Sequence, residues 1–127
     1  MSNNTIAPDQ SYQNLIRPSG ASIAYRAFSG SPLNSWPGII FLPGFMSDMN
    51  GEKALTIENF AREFGQSFVR FDYSGHGSSS GEFKDGHIGI WAADALAVLD
   101  ELTEGPQLLV GSSMGGWLML LTAIARP

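Results

Sequence analysis

Short apolar runs alternate with polar or glycine-rich segments along the chain and divide it into predicted strands and helices. Unbroken runs such as Gly38–Leu42 and Leu108–Val110 favour parallel strands that are buried on both faces. Elsewhere apolar residues recur every three or four positions, which is typical of one helix face. Two such sets are present: Ala54, Ile57, Ala61 and Phe64, and Ile88, Trp91, Ala95, Val98 and Leu102.

The order of these elements predicts an α/β fold. Tyr12–Arg17 and Ala21–Phe28, separated by Pro18-Ser19-Gly20, predict an antiparallel hairpin. The rest of the chain, with a further strand at Ser67–Phe71, follows the order β-α-β-α-β-α. Strands that alternate with helices predict a mostly parallel sheet with helices on both faces.

Helix ends and burial can also be predicted. Gly65 is well placed to end the first helix, and Asp85 is a candidate N-cap of the second. The third helix, from Met114, is apolar on most sides, so we expect it to be deeply buried. The uncharged stretch Leu108–Ala125 approaches membrane-spanning length. Because glycines and serines interrupt it, a strand, a tight turn and a buried helix are the better interpretation.

Composition narrows the classes of function. The 127 residues suit one domain, and the net charge of −5 argues against nucleic-acid binding. The chain has no cysteine and two histidines, so we expect neither a metal site nor a cofactor. The polar residues 1–10 lack the features of a signal or transit peptide. We therefore expect a flexible N-terminus over residues 1–10 and a cytoplasmic protein.

The segment Gly111-Ser112-Ser113-Met114-Gly115 matches the pattern G-x-S-x-G. In this pattern a sharp strand-to-helix turn strains the central residue and exposes its hydroxyl, while the residues two positions away must be small. Ser113 with Gly111 and Gly115 meets these needs, whereas Ser112 would have Val110 and Met114 at the crowded positions. We therefore predict that Ser113 is a nucleophile.

A serine nucleophile that attacks a carbonyl group needs donors for the developing oxyanion. The backbone N–H of Met114, at the start of the third helix, is one candidate. The second donor in such a fold comes from the loop after an earlier strand, where Phe45 follows Pro43-Gly44. A Pro-Gly turn that merely ends a strand is the simpler interpretation of that loop taken alone.

Neither histidine is expected to be the general base, because the base follows the nucleophile in this arrangement. His76 and His87 both precede Ser113; His76 is expected to hold its loop or line the pocket, and His87 lies at a helix start. The loop Gly75–Gly81 lacks the spacing of a nucleotide-binding motif. The simplest interpretation of the remaining carboxylates is that they are solvated or cap loops: Asp72, Asp94 and Asp100.

Three stretches together resemble the α/β-hydrolase superfamily of serine esterases and thioesterases. Within it the chain is similar to the N-terminal half of the mitochondrial palmitoyl-protein thioesterases that also cleave acyl glucuronides, and to their bacterial relatives. The matching segments are Phe41–Phe45 with Met49–Gly51 and Lys53–Leu55, Arg70–Gly75 with Gly77–Ser79, and Gly105–Gln107 with Gly111–Leu120 and Ala123–Pro127.

The resemblance implies an acyl-serine hydrolase of carboxylic thioesters or esters. Ser113 would be the nucleophile, and Phe45 and Met114 would supply the oxyanion N–H groups. One departure is Pro43-Gly44, where many α/β-hydrolases have His-Gly. The family's acid and histidine have no counterpart here, since no Asp, Glu or His follows Ser113.

We therefore expect residues 1–127 to form a single partial α/β-hydrolase domain without its C-terminal half, and to be inactive alone. In such a partial domain the strand Gln107–Val110 would become an apolar edge of the sheet, and the helix from Met114 would lose part of its cover. One alternative is an inactive hydrolase-like fragment that acts as a ligand-binding or interaction module. Another is the same fold with peroxidase or transacylase chemistry. A small-molecule or acylated substrate is the expected partner, with no nucleic acid and no membrane span.

Overall fold

The computed structural model describes residues 12–127, which form strands and helices in the predicted order. The expected flexible N-terminus, residues 1–10, lies outside the described residues. The strands are β1 (Gln13–Ile16), β2 (Ser22–Phe28), β3 (Gly38–Leu42), β4 (Phe68–Phe71) and β5 (Gln107–Gly111). The α-helices are α1 (Glu52–Phe64), α2 (Ile88–Leu102) and α3 (Met114–Ala125), and a short 3₁₀ turn covers Phe83–Asp85.

The five strands form one sheet in the order β1-β2-β4-β3-β5. β1 and β2 form the predicted hairpin, and β2 continues antiparallel to β4. β3 lies parallel to both β4 and β5. Four of the five strands therefore run in the same direction, and only β2 runs the opposite way. The sheet is mixed, because β2 forms antiparallel pairs and β3 forms parallel pairs.

Helices cover both faces of this sheet, as the alternation of strands and helices predicts. Alternate side chains of β3 point to opposite faces, so Ile40 and Leu42 join a cluster with residues of α2 and α3. Ile39 and Phe41 join a second cluster with Ala54 and Ala61 of α1. All five residues of β3 are buried, as expected for a strand between two helical layers.

Of the two predicted helix ends, the C-terminal end of α1 is confirmed and the N-cap of α2 is wrong. Gly65 ends α1 with a φ of +70°, as predicted. The predicted cap of α2 at Asp85 is wrong: His87 is the N-cap, and its Nδ1 accepts the N–H of Gly89 at 3.2 Å. Asp85 lies in the preceding 3₁₀ turn, three residues before the first residue of α2.

α3 is only partly covered in the described residues, which contradicts deep burial but agrees with the loss of cover expected for a partial domain. Leu118 is fully buried, but Trp117, Leu120 and Ile124 are 55%, 58% and 78% exposed. β5 is an edge strand of the described sheet, and Leu108 on it is 52% exposed. α3 packs against β5 and α2, so these neighbours cover only part of its apolar surface.

Candidate active site

Three loops meet at the carboxyl ends of β3, β4 and β5, the place where open α/β sheets bind ligands. The N–H of Ser112 donates to the carbonyl of Leu42 at 3.2 Å, which holds the end of β5 against the end of β3. The N–H of Met46, in the loop after β3, donates to Nε2 of His76, in the loop after β4, at 3.2 Å. The loop that contains Pro43-Gly44-Phe45, the loop Gly75–Gly81 and the turn Gly111–Gly115 therefore lie next to one another.

Ser113 occupies the turn between β5 and α3 in a strained conformation. Its φ is +57° and its ψ is −121°, and its side chain is exposed. A residue held in such a sparsely populated backbone conformation costs about 1–3 kcal/mol. Among residues 12–127 only Ser113 and Met46 combine a side chain with a positive φ, and both lie in this site. Such strain is characteristic of functional sites.

Gly111 and Gly115 make this turn possible because nothing larger fits at either position. A Cβ on Gly111 would collide with the carbonyl oxygen of Gly115 and lie 2.6 Å from the nitrogen of Gly116. A Cβ on Gly115 would collide with the carbonyl oxygen of Leu42 and lie 2.7 Å from that of Pro43. The crowding expected from the sequence pattern is therefore present. The atoms that leave no room for a side chain belong to the backbone.

Two backbone N–H groups beside Ser113 are free to bind an oxyanion. Those of Phe45 and Met114 have no hydrogen-bond acceptor among residues 12–127. Met114 begins α3, where the helix dipole favours negative charge. Gly44, directly before Phe45, packs so closely on the turn that a Cβ there would lie 3.3 Å from Cβ of Ser113.

β4 and the loop that follows it hold the loop after β3 in place. Tyr73 donates from its hydroxyl to the carbonyl of Pro43 at 2.8 Å. Met49 is bound at both ends: its N–H donates to Oδ1 of Asp72 at 2.7 Å, and its carbonyl accepts from Nη1 of Arg70 at 2.7 Å. The position of the candidate oxyanion donor at Phe45 therefore depends on residues of β4 and of the loop that follows it.

Asp72 and Asp94 serve these loops as buried hydrogen-bond acceptors. Burial raises the pKa of Asp72, although N–H donors at Ser78 and Met49 oppose this. Burial likewise raises the pKa of Asp94, against hydrogen bonds from the N–H and hydroxyl of Ser74. Both are the loop-capping carboxylates that the sequence suggested, whereas the exposed Asp100 pairs with Arg126 on the surface.

A cleft of about 880 Å³ opens beside Ser113. β3 and β5 form one wall through Phe41 and Val110, and α1 forms the other through Ala54 and Ile57. Its lining is mixed: these four side chains are apolar, whereas Asp48, Glu52 and Lys53 add charged groups, and Gly44 and Ser113 also line the cleft.

Sequence reasoning missed the residue on which this arrangement most depends, Arg70. Its side chain is 1% exposed and binds Glu58, Met49 and Asn50. A signal was present, because Arg70 is a charged residue within the otherwise apolar strand Phe68–Phe71. A charge in such a strand indicates a buried, paired group.

Known proteins with similar sequences and structures place the chain in a family. The model of the alpha/beta hydrolase family matches residues 39–126. Rat mitochondrial palmitoyl-protein thioesterase ABHD10 is 54% identical over 89% of this chain and 37% of its own length. The human protein of that name is 52% identical over 89% of this chain and 36% of its own.

Solved structures agree with this placement. Mouse alpha/beta hydrolase domain-containing protein 10 has a TM-score of 0.86 and 50% identity, over 92% of this chain and 45% of that chain. Est1E from Butyrivibrio proteoclasticus has a TM-score of 0.78 and 24% identity, over 91% of this chain and 47% of that chain. The latter likeness supports the fold alone.

These findings correct one expectation. The rat and human relatives are both named as mitochondrial, which contradicts the cytoplasmic location expected from the sequence. That expectation rested only on residues 1–10, whereas the similarity extends over most of the chain. No helix between residues 12 and 127 has the length and apolar character needed to cross a membrane.

The chain spans little more than a third of the length of the curated relatives it matches. Within that span, the sheet order, the turn at Ser113 and the match over residues 39–126 lead to one conclusion. The chain belongs to the alpha/beta hydrolase family.

Proposed function

We propose that the protein is a serine hydrolase that cleaves carboxylic thioesters or esters through an acyl group bound to Ser113. The observation that carries this proposal is the exposed Ser113 hydroxyl on a strained turn, with the unpaired N–H groups of Phe45 and Met114 beside it. The names of the curated relatives, palmitoyl-protein thioesterases, favour long-chain acyl thioesters within this class. The apolar side chains in the cleft lining (Phe41, Ala54, Ile57 and Val110) are suited to an acyl chain and support the same choice.

The reaction proceeds in two steps. Ser113 Oγ attacks the carbonyl carbon, and its proton passes to a general base. The tetrahedral oxyanion accepts hydrogen bonds from the N–H groups of Phe45 and Met114. The carbon–sulfur or carbon–oxygen bond then breaks, the leaving group takes up the proton, and water hydrolyses the acyl-serine in the same manner.

The general base and the acid that orients it are proposed to lie outside these 127 residues. No Asp, Glu or His follows Ser113 in the chain, and the matched relatives are much longer. His76 is poorly suited to the role, because both of its ring nitrogens already have hydrogen-bond partners.

The test is covalent labelling of the protein expressed from the complete gene. A fluorophosphonate probe forms a bond to an activated serine and releases fluoride, and mass spectrometry then identifies the labelled residue. We expect the label on Ser113 together with hydrolysis of palmitoyl thioester substrates, and we expect Ser113→Ala to abolish both. Ser112→Ala is the matched control, one residue away on the same turn, and is expected to keep both. Hydrolysis that survives in Ser113→Ala would refute the proposal.

A second candidate function is an inactive module that binds a ligand or partner. The lack of any Asp, Glu or His after Ser113 favours it for the 127-residue chain taken alone. In that case the isolated chain has no thioesterase activity and takes up no label at Ser113. Turnover by the isolated chain that Ser113→Ala abolishes would exclude this candidate.

A further inference from the structure

His76 contacts the loop that carries the candidate oxyanion donor at Phe45. Its imidazole is 4% exposed, and Nε2 lies 3.2 Å from the nitrogen of Met46, the residue directly after Phe45. We propose that His76 is a positioning residue of the active site, which directs the Phe45 N–H toward the oxyanion by holding Met46. The inference rests on the proposed function.

The hydrogen bonds of the ring determine which nitrogen carries the proton. Met46 approaches Nε2 with its N–H, so Nε2 must be the acceptor. Nδ1 lies 3.1 Å from the carbonyl oxygen of Ser74, so it must be the donor. The hydrogen-bond geometry therefore assigns the donor role to Nδ1 and the acceptor role to Nε2, with both nitrogens in use.

Met46 is the point at which this loop needs support. The N–H of Ser47 donates to the carbonyl of Gly44 at 3.2 Å, which closes a turn with Phe45 and Met46 at its centre. The φ of Met46 is +59°, at a turn position that usually holds glycine. A hydrogen bond to the N–H of Met46 offsets this strain and fixes the peptide plane on one side of Phe45.

The other side of Phe45 is fixed from the same loop after β4. The hydroxyl of Tyr73 donates to the carbonyl of Pro43 at 2.8 Å, and Tyr73 also contacts the ring of His76. Phe45 thus lies between two anchored residues, so its N–H has little freedom to turn away. Loss of either anchor is expected to misalign the donor without removing it.

Ring packing is the competing explanation for His76. Its ring contacts Phe83 and Trp91 edge-on, with centroids 5.1 and 5.2 Å away. The side chain of Phe45 contacts the same two rings. A test must therefore separate the acceptor at Nε2 from the aromatic ring that carries it.

Two substitutions make that separation. His76→Gln keeps an acceptor near the position of Nε2 and loses the ring, whereas His76→Phe keeps the ring and loses the acceptor. If the acceptor positions Phe45, His76→Phe lowers kcat for thioester hydrolysis by about 10- to 100-fold with little change in KM, because the donor acts on the transition state. His76→Gln then retains most of kcat.

The controls are His87→Phe and His87→Gln, at the exposed cap of α2, where we expect no change in kcat. The opposite order at position 76, with the Gln variant impaired and the Phe variant active, would overturn the proposal in favour of ring packing. If Ser113→Ala retains turnover, the proposed function is wrong. The kcat values of the His76 variants then say nothing about the Phe45 N–H, and the NMR measurement below decides the role of His76.

A measurement on the unmodified protein decides the matter even if a variant does not fold. Nitrogen-15 NMR of the histidine rings reports which ring nitrogen carries the proton, and the His76 ring can be assigned through its contacts with Phe83 and Trp91. We expect His76 to be protonated on Nδ1 alone. A ring protonated on Nε2 cannot accept the N–H of Met46, and that result would overturn the proposal without any assay of activity.

Discussion

Replacing Gly115 with alanine is expected to prevent stable folding. The new methyl group would collide with the carbonyl oxygen of Leu42 and lie 2.7 Å from that of Pro43. Neither atom can move without pulling apart the end of β3 and the start of α3. We expect a loss of more than about 4 kcal/mol, which approaches the whole stability of many domains.

Gly116 provides the matched control, because it is the next residue of the same helix and a Cβ there meets nothing within 4 Å. Gly116→Ala is expected to be neutral or to stabilise by up to about 1 kcal/mol, since alanine is the better helix former. The measurement is the urea midpoint of each purified variant, with the soluble yield where a variant does not purify. Equal midpoints for the two variants would contradict the crowding argument.

Replacing Arg70 with leucine is expected to cost about 3 kcal/mol or more. The Nε of Arg70 donates to Oε1 of Glu58 at 2.6 Å, and Nη1 donates to the carbonyl of Met49 and to Oδ1 of Asn50. Removing the buried partner leaves the mostly buried Glu58 carboxylate with Arg62, a half-exposed side chain, as its remaining cation, and such a loss is costly. The loop before α1 loses two donors at the same time.

Arg62→Leu is the control, because Arg62 binds the same carboxylate from a side chain that is 46% exposed. An exposed pair of this kind contributes little, so we expect a loss of no more than about 1 kcal/mol. Chemical denaturation of both variants at neutral pH gives the comparison. A loss at Arg62 equal to that at Arg70 would contradict the difference in burial.

The same pair predicts a dependence on pH. Burial opposes the ionisation of Glu58, but hydrogen bonds from Arg70 and Arg62 outweigh it and hold its pKa below the ordinary value of 4.5. Glu58 therefore contributes stability that is present above pH 4.5 and is lost as the pH falls through its lowered pKa. In Arg70→Leu this loss in acid is expected to be smaller.

The sequence was sufficient to predict the fold because its local signals agree with one another. The apolar run Gly38–Leu42 proved to be the fully buried centre of the sheet. Gly111 and Gly115 indicated a site where the backbone is crowded, because only small residues fit there. Their spacing around Ser113 is a local property, so the strained turn could be predicted without knowledge of the rest of the molecule.

The support of the loop after β3 could not be predicted in the same way. It depends on contacts between residues far apart in sequence, such as Arg70 with Met49 and His76 with Met46. The extent to which α3 is buried could not be predicted from its own residues, because apolar side chains favour burial but do not specify which element covers them. Trp117 and Ile124 are apolar and yet more than half exposed.

The strand order also has a consequence for synthesis on the ribosome. β2 and β3 are adjacent along the chain, but each pairs with β4 and not with the other. While translation proceeds from β3 to β4, at about 5–20 residues per second, the apolar β3 has no partner strand. β4 completes the first four strands when it emerges, and β3 gains its second neighbour only after Gly111 has been made. A nascent chain that pauses before β4 therefore exposes its most apolar strand, and we expect it to be most prone to aggregation during that interval.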